Sequence, residues 1–483
     1  MSLPILLDDA LVTTPDGIGV RLSLPWIRSL PLTSVSGLEV RIDGAEVAGL
    51  RIRTHDEWWF LQDRLVVEAP LALSGGRHDV SVSFRLTIPY LQAGPDGPLV
   101  LPFHAERALV ADVATGRDAS APGARGSNRV SQAADRIEPD GSPALPGQWT
   151  LAASAFNWTP EVIRAERAAP DIAVDIVADG IASVIELEPG QLWRSFPEPD
   201  DAEVDELRRR LDATGGRVSI VGASLDDWVG PSQRRSDAER LAFLVPQLRA
   251  AQRVGADGVR LPIGQAGAPL LRQLLPVLHD LDLVLYEEIQ GQQTPDSPAA
   301  ASAIETIAAL DDPRLRVLVD ISMLMPALPT TYLERMAAAC LPRELLARLA
   351  DEWREPATAA AVVEHLRSGA VPPAVHAMYM NLIVRFGRSD AAVLRDILPL
   401  IGAFHLKFWD LDDADARVSQ PIRDLGALLA GSGFGGTLAS EWGGHEWLDP
   451  EVATPGDMTR RHLALATAAL AEGATTAAPT SVM

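Results

Sequence analysis

The pattern of apolar and polar positions changes once along the chain. Before residue 113, segments such as GIGVRLSL, GLEVRIDG, RLVVEAPL and HDVSVSFRLTI alternate apolar and polar residues between Gly, Pro and Asp turns. Alternation with a period of two is typical of antiparallel strands that bury one face. We therefore predict a small all-β sandwich domain over residues 1–112.

After residue 148, short apolar runs are separated by Ala-, Leu- and Arg-rich stretches with helical spacing, such as DAERLAFLVPQLRAAQRVG. Repeated strand and helix units form a parallel sheet. The candidate strands are WTLAASAF, IASVIELE, GRVSIVGA, DGVRLPI, LDLVLYEE, LRVLVDI, GAFHLKFW and GGTLASEW. Eight units predict an α/β fold, a (β/α)8 TIM barrel, over residues 148–475. No GxGxxG or GxxxxGK[ST] motif opens a helix, which disfavours a doubly wound nucleotide-binding sheet, and we expect no NAD.

Three further segments complete the organisation. Residues 113–147 are rich in Gly, Ala, Ser, Pro and Asp, a composition typical of a linker. A helical insertion at about 322–395 separates the sixth and seventh strands, and we expect it to act as a lid or a substrate-binding wall. Residues 476–483 are predicted to be a flexible tail.

Composition narrows the class of protein. The chain has 483 residues, 47% of them hydrophobic, which is enough for a large buried core. Its formal charge of −23 disfavours nucleic acid and anionic membranes as partners. A single cysteine, Cys340, excludes a disulfide framework and a multi-thiolate zinc site. Because no apolar run reaches the about 18 residues of a membrane span and the opening lacks a signal-peptide pattern, we expect a cytoplasmic protein.

Acidic residues and one histidine stand where the later strands end, the face on which TIM barrels carry their chemistry. In chain order they are Glu287 and Glu288, Asp320, His405 and Glu441. Carboxylates that meet beside an imidazole at this face of the barrel repel one another unless a divalent cation neutralises them. This oxygen-rich set of ligands suits Mn²⁺ or Mg²⁺. Strand parity leaves Glu287 or Glu288 as the inward residue; we favour Glu288 because Gly291 then follows as a tight turn.

Each of these residues also has a purely structural reading. A carboxylate at a strand end often caps a helix, and His405 can be a satisfied core histidine. Lys407 shares the face of His405 by alternation and is a candidate substrate-binding residue. Trp442 and His445 can simply pack the barrel rim, although tryptophan also binds the apolar faces of sugars. A non-catalytic sugar-binding protein is therefore an alternative, but unpaired buried carboxylates are costly without a function.

The motifs VLYEEIQG, RVLVDIS, FHLKFWD and LASEWGG, in this order, resemble the metal sites of the xylose isomerase-like sugar epimerases and isomerases. The resemblance covers residues 148–475. The segments RLSLPWIRSLPLTSVSGLEVRIDG, WWFLQDRL and RLTIPYL resemble the small β subunit of the C-glycoside deglycosidases, whose large subunit is a barrel of this kind. The two resemblances together imply both subunits fused in one chain.

The resemblance implies a lyase that acts on a 3-oxo glycoside, with an aromatic aglycone, through a metal held by Glu288, Asp320, His405 and Glu441. A metal that polarises the 3-keto group acidifies the hydrogen at carbon 2; a base removes it and the aglycone leaves carbon 1. Reprotonation on the other face gives epimerisation, so a 3-keto sugar epimerase or isomerase is the alternative. The carbon- or oxygen-linked nature of the glycoside and the presence of a homo-oligomer stay open.

The sequence departs from the family pattern at the residue that would act as the base. The deglycosidase barrels have a Glu-x-His motif, and the resemblance implies that its histidine removes the proton. This chain has Gln290 at the position of that histidine. A glutamine amide cannot accept a proton at neutral pH. The substitutes are Glu441, Glu288, His445 and His376, the last on the inserted helices. We expect Glu441 to be the base, with His445 as the second candidate and His376 as a further substrate-side residue.

Overall fold

The computed structural model describes residues 4–53, 56–93, 97–113, 145–230, 232–448 and 452–477. The predicted linker and the end of the predicted tail lie almost entirely outside these ranges. None of the described helices is long and apolar enough to cross a membrane.

The strands follow the two predicted patterns along the chain. Those before the linker are β1 Leu11–Thr14, β2 Gly17–Ser23, β3 Leu30–Pro31, β4 Val35–Ile42, β5 Ala45–Glu46, β6 Arg51–Arg53, β7 Trp58–Trp59, β8 Arg64–Ala69, β9 Arg77–Gln92, β10 Pro98–Val110 and β11 Asp112–Val113. Those after it are β12 Thr150–Ser154, β13 Val184–Leu187, β14 Arg217–Gly222, β15 Trp228–Val229, β16 Gln233–Arg234, β17 Gly258–Pro262, β18 Val284–Ile289, β19 Leu315–Asp320, β20 Ile401–Phe408 and β21 Thr437–Trp442.

All described α-helices lie in the second part of the chain. They are α1 Thr159–Arg164, α2 Ala169–Ala178, α3 Pro189–Leu192, α4 Asp201–Thr214, α5 Asp237–Val254, α6 Gly267–Leu281, α7 Pro298–Leu310, α8 Thr330–Ala338, α9 Arg343–Asp351, α10 Pro356–Arg367, α11 His376–Tyr379, α12 Asn381–Val384, α13 Ser419–Leu429 and α14 Pro455–Ala477. Their ends follow local chemistry, as in α5, which starts with a Ser236/Glu239 capping box and stops at the left-handed Gly255.

The first part of the chain folds into two main sheets, as the alternating segments predict. One has the strand order β11-β1-β2-β8-β6 and the other β10-β9-β4-β5, while β3 and β7 form a separate short pair. Alternate residues of β8 and β9, such as Val67, Val82 and Phe84, are buried in the core. Burial of one face of each sheet is the reason for the period of two in the sequence.

The second part closes into a parallel eight-stranded barrel with the order β12-β13-β14-β17-β18-β19-β20-β21. We call these the first to eighth barrel strands. Each of the eight candidate segments of the sequence supplies one of them, so the TIM-barrel prediction is confirmed. The barrel closes where the first strand pairs with the eighth, with Ala153 opposite Ser440.

Helices α8 to α12 lie between the sixth and seventh barrel strands, in the region of the expected insertion. They have an apolar core of their own, in which Tyr332, Trp353 and Phe386 are fully or almost fully buried. Trp447, from the segment after the eighth strand, joins this core. The inserted helices are therefore fixed to the carboxyl end of the barrel by apolar packing.

Candidate metal centre and active site

Four side chains meet at the carboxyl end of the barrel. Glu288, Asp320, His405 and Glu441 come from the fifth to eighth strands, and one ligand atom from each lies within 4.8 Å of all the others. All four are buried. The strand register explains the meeting, because Asp320 pairs directly with His405 in the sheet. The structure thus brings together the four residues that the sequence predicts as metal ligands.

Strand parity separates the two neighbouring glutamates of the fifth strand. Glu288 points into the barrel, whereas Glu287 accepts a hydrogen bond of 3.0 Å from the backbone N–H of Gly264. Adjacent residues of a strand face opposite sides of the sheet, so only one of the two can join the cluster. Burial raises the pKa of Glu287 to about 7, against the effect of the Gly264 hydrogen bond.

His405 is held by carboxylates on both ring nitrogens. Its Nδ1 lies 3.0 Å from Glu288 Oε1 and 2.8 Å from Glu441 Oε2, and its Nε2 lies 2.7 Å from Glu186 Oε2. Burial acts to lower the pKa of His405, but the carboxylates of Glu186, Glu441 and Glu288 outweigh it and hold that pKa well above its usual range. Glu186 fixes the ring so that Nδ1 faces the other cluster residues.

Glu441 has a different partner on each oxygen. Its Oε1 lies 3.1 Å from Lys407 Nζ, and its Oε2 faces His405. Burial acts to raise the pKa of Glu441, but Lys407 and His405 together hold that pKa well below its usual range. Lys407 also lies above the ring of Phe156, 5.2 Å from its centroid. The predicted substrate-binding lysine is therefore part of the cluster.

The earlier strands of the barrel add a second set of charges. Arg260, on the fourth strand, donates to Glu288 Oε2 at 3.0 Å and also pairs with Glu188, just after the second strand. Burial raises the pKa of Glu188 to about 7, although Arg260 opposes this. Arg260 thus connects the two halves of the barrel through one guanidinium.

The donor set fits a divalent cation. Five buried or largely buried carboxylates face three cationic or potentially cationic groups among the described residues of this cluster. The carboxylates are Glu186, Glu188, Glu288, Asp320 and Glu441, and the other groups are Arg260, His405 and Lys407. Burial raises the pKa of Asp320 to about 6, with neighbouring carboxylates adding to the effect. Three carboxylates and one imidazole within 4.8 Å form a set that can hold a metal.

Two of the predicted substrate or catalytic residues occupy different environments near the eighth strand. Trp442 is buried, packs against Phe408 and Met458, and donates its indole N–H to the carbonyl of Trp409 at 2.8 Å. It lies on the outer face of the strand and has no free surface for a sugar. His445 is also buried, yet neither ring nitrogen has a hydrogen-bond partner among the described residues.

The surroundings of His445 keep its imidazole neutral. Its ring lies 5.2 Å from that of Phe156 and 5.5 Å from that of Trp442. Burial lowers its pKa to about 3, and the cations Lys407 and Arg385 add to this shift. A neutral imidazole with unused nitrogens can accept or donate one hydrogen bond at each.

Gln290 and His376, the remaining residues of interest, are both exposed. Gln290 directly follows the fifth strand, two residues after Glu288. His376 starts α11 in the insertion, and its exposed side chain is the opposite of what buried proton transfer requires.

The insertion is tied to the strand ends through two glycines. Gly291 has φ +65°, and a Cβ there would lie 2.1 Å from the carbonyl oxygen of Val384. A Cβ at Gly387 would lie 2.3 Å from Met323 Cα. Gln292 donates to the carbonyls of Leu382 and Phe386 at 2.7 and 3.0 Å. Such close packing of described backbone supports a fixed wall, rather than a lid, in this part of the insertion.

Arg385, directly after α12 of the insertion, is a further charged residue of this region. It forms an ion pair with Glu446, which also accepts a 3.3 Å hydrogen bond from Asn381 Nδ2. Burial lowers the pKa of Arg385, and the carboxylates of Glu441 and Asp320 oppose this. The guanidinium therefore lies within electrostatic reach of the predicted ligands.

Sequence reasoning did not find Glu186, Glu188, Arg260 or Arg385. For the first three, the signal is the alternation in VIELE and GVRLP, which places these charges on the inner side of otherwise apolar strands. No local signal identifies Arg385, because its partner Glu446 is 61 positions away.

Both parts of the chain have relatives of known name. Residues of the barrel region are 30% identical over 309 positions to a C-glycoside deglycosidase alpha subunit from Arthrobacter globiformis, covering 63% of this chain and 87% of that protein. A 3'-dehydrocarminate deglycosidase alpha subunit from Microbacterium sp is 25% identical over 314 positions, covering 62% and 89%. The corresponding beta subunit from Microbacterium sp is 37% identical over 103 positions, covering 18% and 78%. No family model matches the chain.

Two sugar epimerases are among the solved structures to which the chain is similar. A D-psicose 3-epimerase crystallised with D-fructose has a TM-score of 0.41 at 13% identity, covering 67% of this chain and 99% of that one. A 3-keto-D-glucoside 4-epimerase from E. coli has a TM-score of 0.39 at 15% identity, covering 66% and 98%.

Proposed function

The chain belongs to the C-glycoside deglycosidase family, with regions similar to its alpha and beta subunits in one polypeptide, and we propose that it cleaves the bond between a 3-keto sugar and its aglycone. That the chain is an enzyme acting on glycosides follows from these relatives. The proposed cleavage is supported by the buried group of Glu288, Asp320, His405 and Glu441, whose ligand atoms lie within 4.8 Å of one another.

The proposed reaction is an elimination across carbons 1 and 2 of the sugar. A base takes the proton from carbon 2, a double bond forms between carbons 1 and 2, and the bond to the aglycone breaks. The electron pair of that bond leaves with the aglycone, which then takes up a proton. The 3-keto group makes the first step feasible because it delocalises the negative charge that develops at carbon 2.

Glu288, Asp320, His405 and Glu441 would hold the metal, for which we propose Mn²⁺, with Mg²⁺ as the second choice. When bound, the cation supplies Lewis-acid polarisation of the sugar's oxygen atoms. Glu186 keeps the His405 ring in the orientation that this set requires, through the 2.7 Å contact at Nε2. Arg260 fixes the Glu288 carboxylate from the other side, at 3.0 Å.

Glu441 is our first candidate for the base. Its carboxylate is anionic at neutral pH, and Lys407, 3.1 Å away, stabilises that charge. His445 is the second candidate, because its neutral ring has two nitrogens without partners among the described residues. Gln290, exposed just after the fifth strand, can hydrogen-bond to a sugar without taking its proton.

A direct assay tests this proposal. The purified protein with Mn²⁺ is incubated with a 3-keto C-glucoside, and we expect release of free aglycone. Epimerised sugar without aglycone would instead support a 3-keto sugar epimerase, the alternative that the replacement of the family histidine by Gln290 favours. Binding of the sugar with neither product would support a non-catalytic role.

The base is identified by solvent deuterium exchange at carbon 2 of a 3-keto sugar. We expect Glu441→Gln to lose exchange even when the rate is expressed per bound metal, which is measured in parallel because Glu441 is itself a proposed ligand and its replacement keeps one oxygen donor. His445→Gln is the competing variant, and His376→Gln is the matched control because that histidine is exposed. Exchange at the unmodified rate in both Glu441→Gln and His445→Gln would contradict the assignment.

A further inference from the structure

The pairing between the first and eighth barrel strands stops just before Glu441. The last residues that pair are Ala153 and Ser440, and the first strand ends at Ser154. The eighth strand continues to Trp442. Backbone groups that pass the end of a neighbouring strand lose their regular partner, and buried ones need another. The edge of Glu441 that faces the first strand is therefore held by something other than strand pairing.

The side chain of Asn157 supplies the missing partner. The backbone N–H of Trp442 donates to Asn157 Oδ1 at 2.6 Å, and Asn157 Nδ2 donates to the carbonyl of Ser440 at 3.1 Å. These two backbone groups belong to the peptide units on either side of the Glu441 Cα. Because peptide units are planar, one side-chain amide thus fixes both of them, and with them the direction in which the Glu441 side chain leaves the strand.

The opposite edge of Glu441 is held by ordinary strand pairing. Glu441 lies opposite Lys407 of the seventh strand, and the backbone N–H of Gly443 donates to the carbonyl of Phe408 at 2.8 Å. The Glu441 carboxylate reaches His405 at 2.8 Å and Lys407 at 3.1 Å. Asn157 therefore completes, on the side of the first strand, a support that the seventh strand provides on the other side.

Asn157 is itself held in place. It is fully buried, and its Nδ2 also donates to Thr459 Oγ1, on α14, at 2.9 Å. The short turn that carries it, Ala155–Trp158, is closed by a 2.6 Å hydrogen bond from Thr159 Oγ1 to the carbonyl of Phe156. A group can orient another only when packing and hydrogen bonds determine its own position. The Asn157 amide meets this condition.

We propose that Asn157 is a positioning residue for the metal centre, which orients the Glu441 carboxylate through the two peptide units beside it. This inference rests on the proposed function, since it assumes that Glu441 acts as a ligand and as the base. An amide suits this role because it presents a donor and an acceptor in one plane, whereas an ionised aspartate of the same shape has no donor. A displacement of about 1 Å in a reacting group can cost about 100-fold in rate.

Replacement of Asn157 in the full-length protein tests this role. Asn157→Asp keeps the shape and the acceptor but, when ionised, cannot donate to Ser440, while Asn157→Ser is neutral and has no amide. We expect both variants to weaken Mn²⁺ binding about tenfold, because Glu441 is displaced rather than lost. Carbon 2 exchange per bound metal should fall as well. Titration of the metal-free proteins gives the Mn²⁺ affinity, and the electron paramagnetic resonance spectrum of the bound Mn²⁺ should show a changed ligand geometry.

Thr459→Val is the matched control. It removes one hydrogen bond from the same amide but leaves the contacts of Asn157 with Ser440 and Trp442. We expect a lower urea midpoint, with the Mn²⁺ affinity, the spectrum and the exchange rate of the unmodified protein. Loss of Mn²⁺ affinity that follows the loss of stability in all three variants would show a purely structural role and overturn the proposal. Unchanged Mn²⁺ affinity in either folded Asn157 variant, or failure of both to fold, would overturn it too.

The proposed function can fail separately. Mn²⁺ affinity that depends on Asn157, without aglycone release by the unmodified protein, would retain the positioning role and reject the lyase activity. Aglycone release together with Mn²⁺ affinity that ignores Asn157 would do the reverse.

Discussion

The two halves of the barrel carry inward-facing charges to the same end, but these charges have different neighbours. On the later strands, Glu288, Asp320 and Glu441 converge on one point together with His405. Near the earlier strands, Glu188 is paired with Arg260, and Glu186 with the far nitrogen of His405. The later half therefore offers ligand atoms to a common centre, whereas the earlier half orients the groups that do so.

The role of a buried charge therefore depends on its partners rather than on its burial. Glu188, whose charged partner is the Arg260 guanidinium, needs no further cation, whereas the carboxylates that converge on one point do, even though one of them, Glu288, also contacts Arg260.

Asp320→Ala should have the largest effect, because it removes a ligand from the later half. We expect loss of bound metal and a fall in aglycone release of about 1,000-fold, since the Lewis acid goes with the ligand. Metal content per chain and the release rate are measured on the same sample. Glu287→Gln is the control, as Glu287 lies next to a ligand but hydrogen-bonds to Gly264 instead. A metal-replete, fully active Asp320→Ala would contradict the proposed centre.

Glu186→Ala should weaken Mn²⁺ binding about 10- to 100-fold without abolishing it, because a support of His405 is lost rather than a ligand. Glu186→Gln keeps an oxygen that can accept the Nε2 hydrogen bond and should weaken binding less. Titration of metal-free protein with Mn²⁺ gives both affinities. Loss of metal in Glu186→Ala as complete as in Asp320→Ala would remove the distinction between the two halves.

Arg260→Met should act mainly on stability. It leaves the buried carboxylates of Glu188 and Glu288 without their guanidinium, which costs about 3 kcal/mol for a buried pair that loses one partner. Adding Glu188→Gln should recover part of this loss, because one uncompensated charge is then gone. Urea denaturation of the metal-free proteins measures the change, and a double variant less stable than the single one would refute the pairing.

Much of this arrangement is predictable from the sequence, and the limits have a physical cause. Strand alternation and the end-of-strand rule are local, so they identify the eight strands and place Glu288, Asp320, His405 and Glu441 at one face. Attention to the ends of the later strands alone leaves out Glu186 and Arg260, which lie on the second and fourth barrel strands.

Contacts between distant segments need the folded chain. Arg28 meets Asp226 across 198 positions, and nothing in the local sequence of either residue indicates the other. The same limit applies to Trp442, whose place on the outer face follows from Glu441 facing inward, although its aromatic ring alone suggested a sugar contact. Long-range pairing decides which polar residues are structural and which have free atoms.

Glu287→Gln should have the smallest effect on activity but a clear effect on the pH dependence of stability. The pKa of Glu287 is raised from its ordinary value of 4.5 to about 7 in the folded protein, mainly by burial. Between these two pH values the folded state holds a proton that the unfolded state has lost, so its stabilising contribution is present below 4.5 and is lost as the pH rises to about 7. The contribution is about 3 kcal/mol at most. Urea midpoints measured from pH 5 to pH 8 should therefore fall more steeply for the unmodified protein than for Glu287→Gln, which cannot ionise. Parallel profiles would show that this glutamate is ionised in both states, and that the outer side of the fifth strand is more polar than its burial indicates.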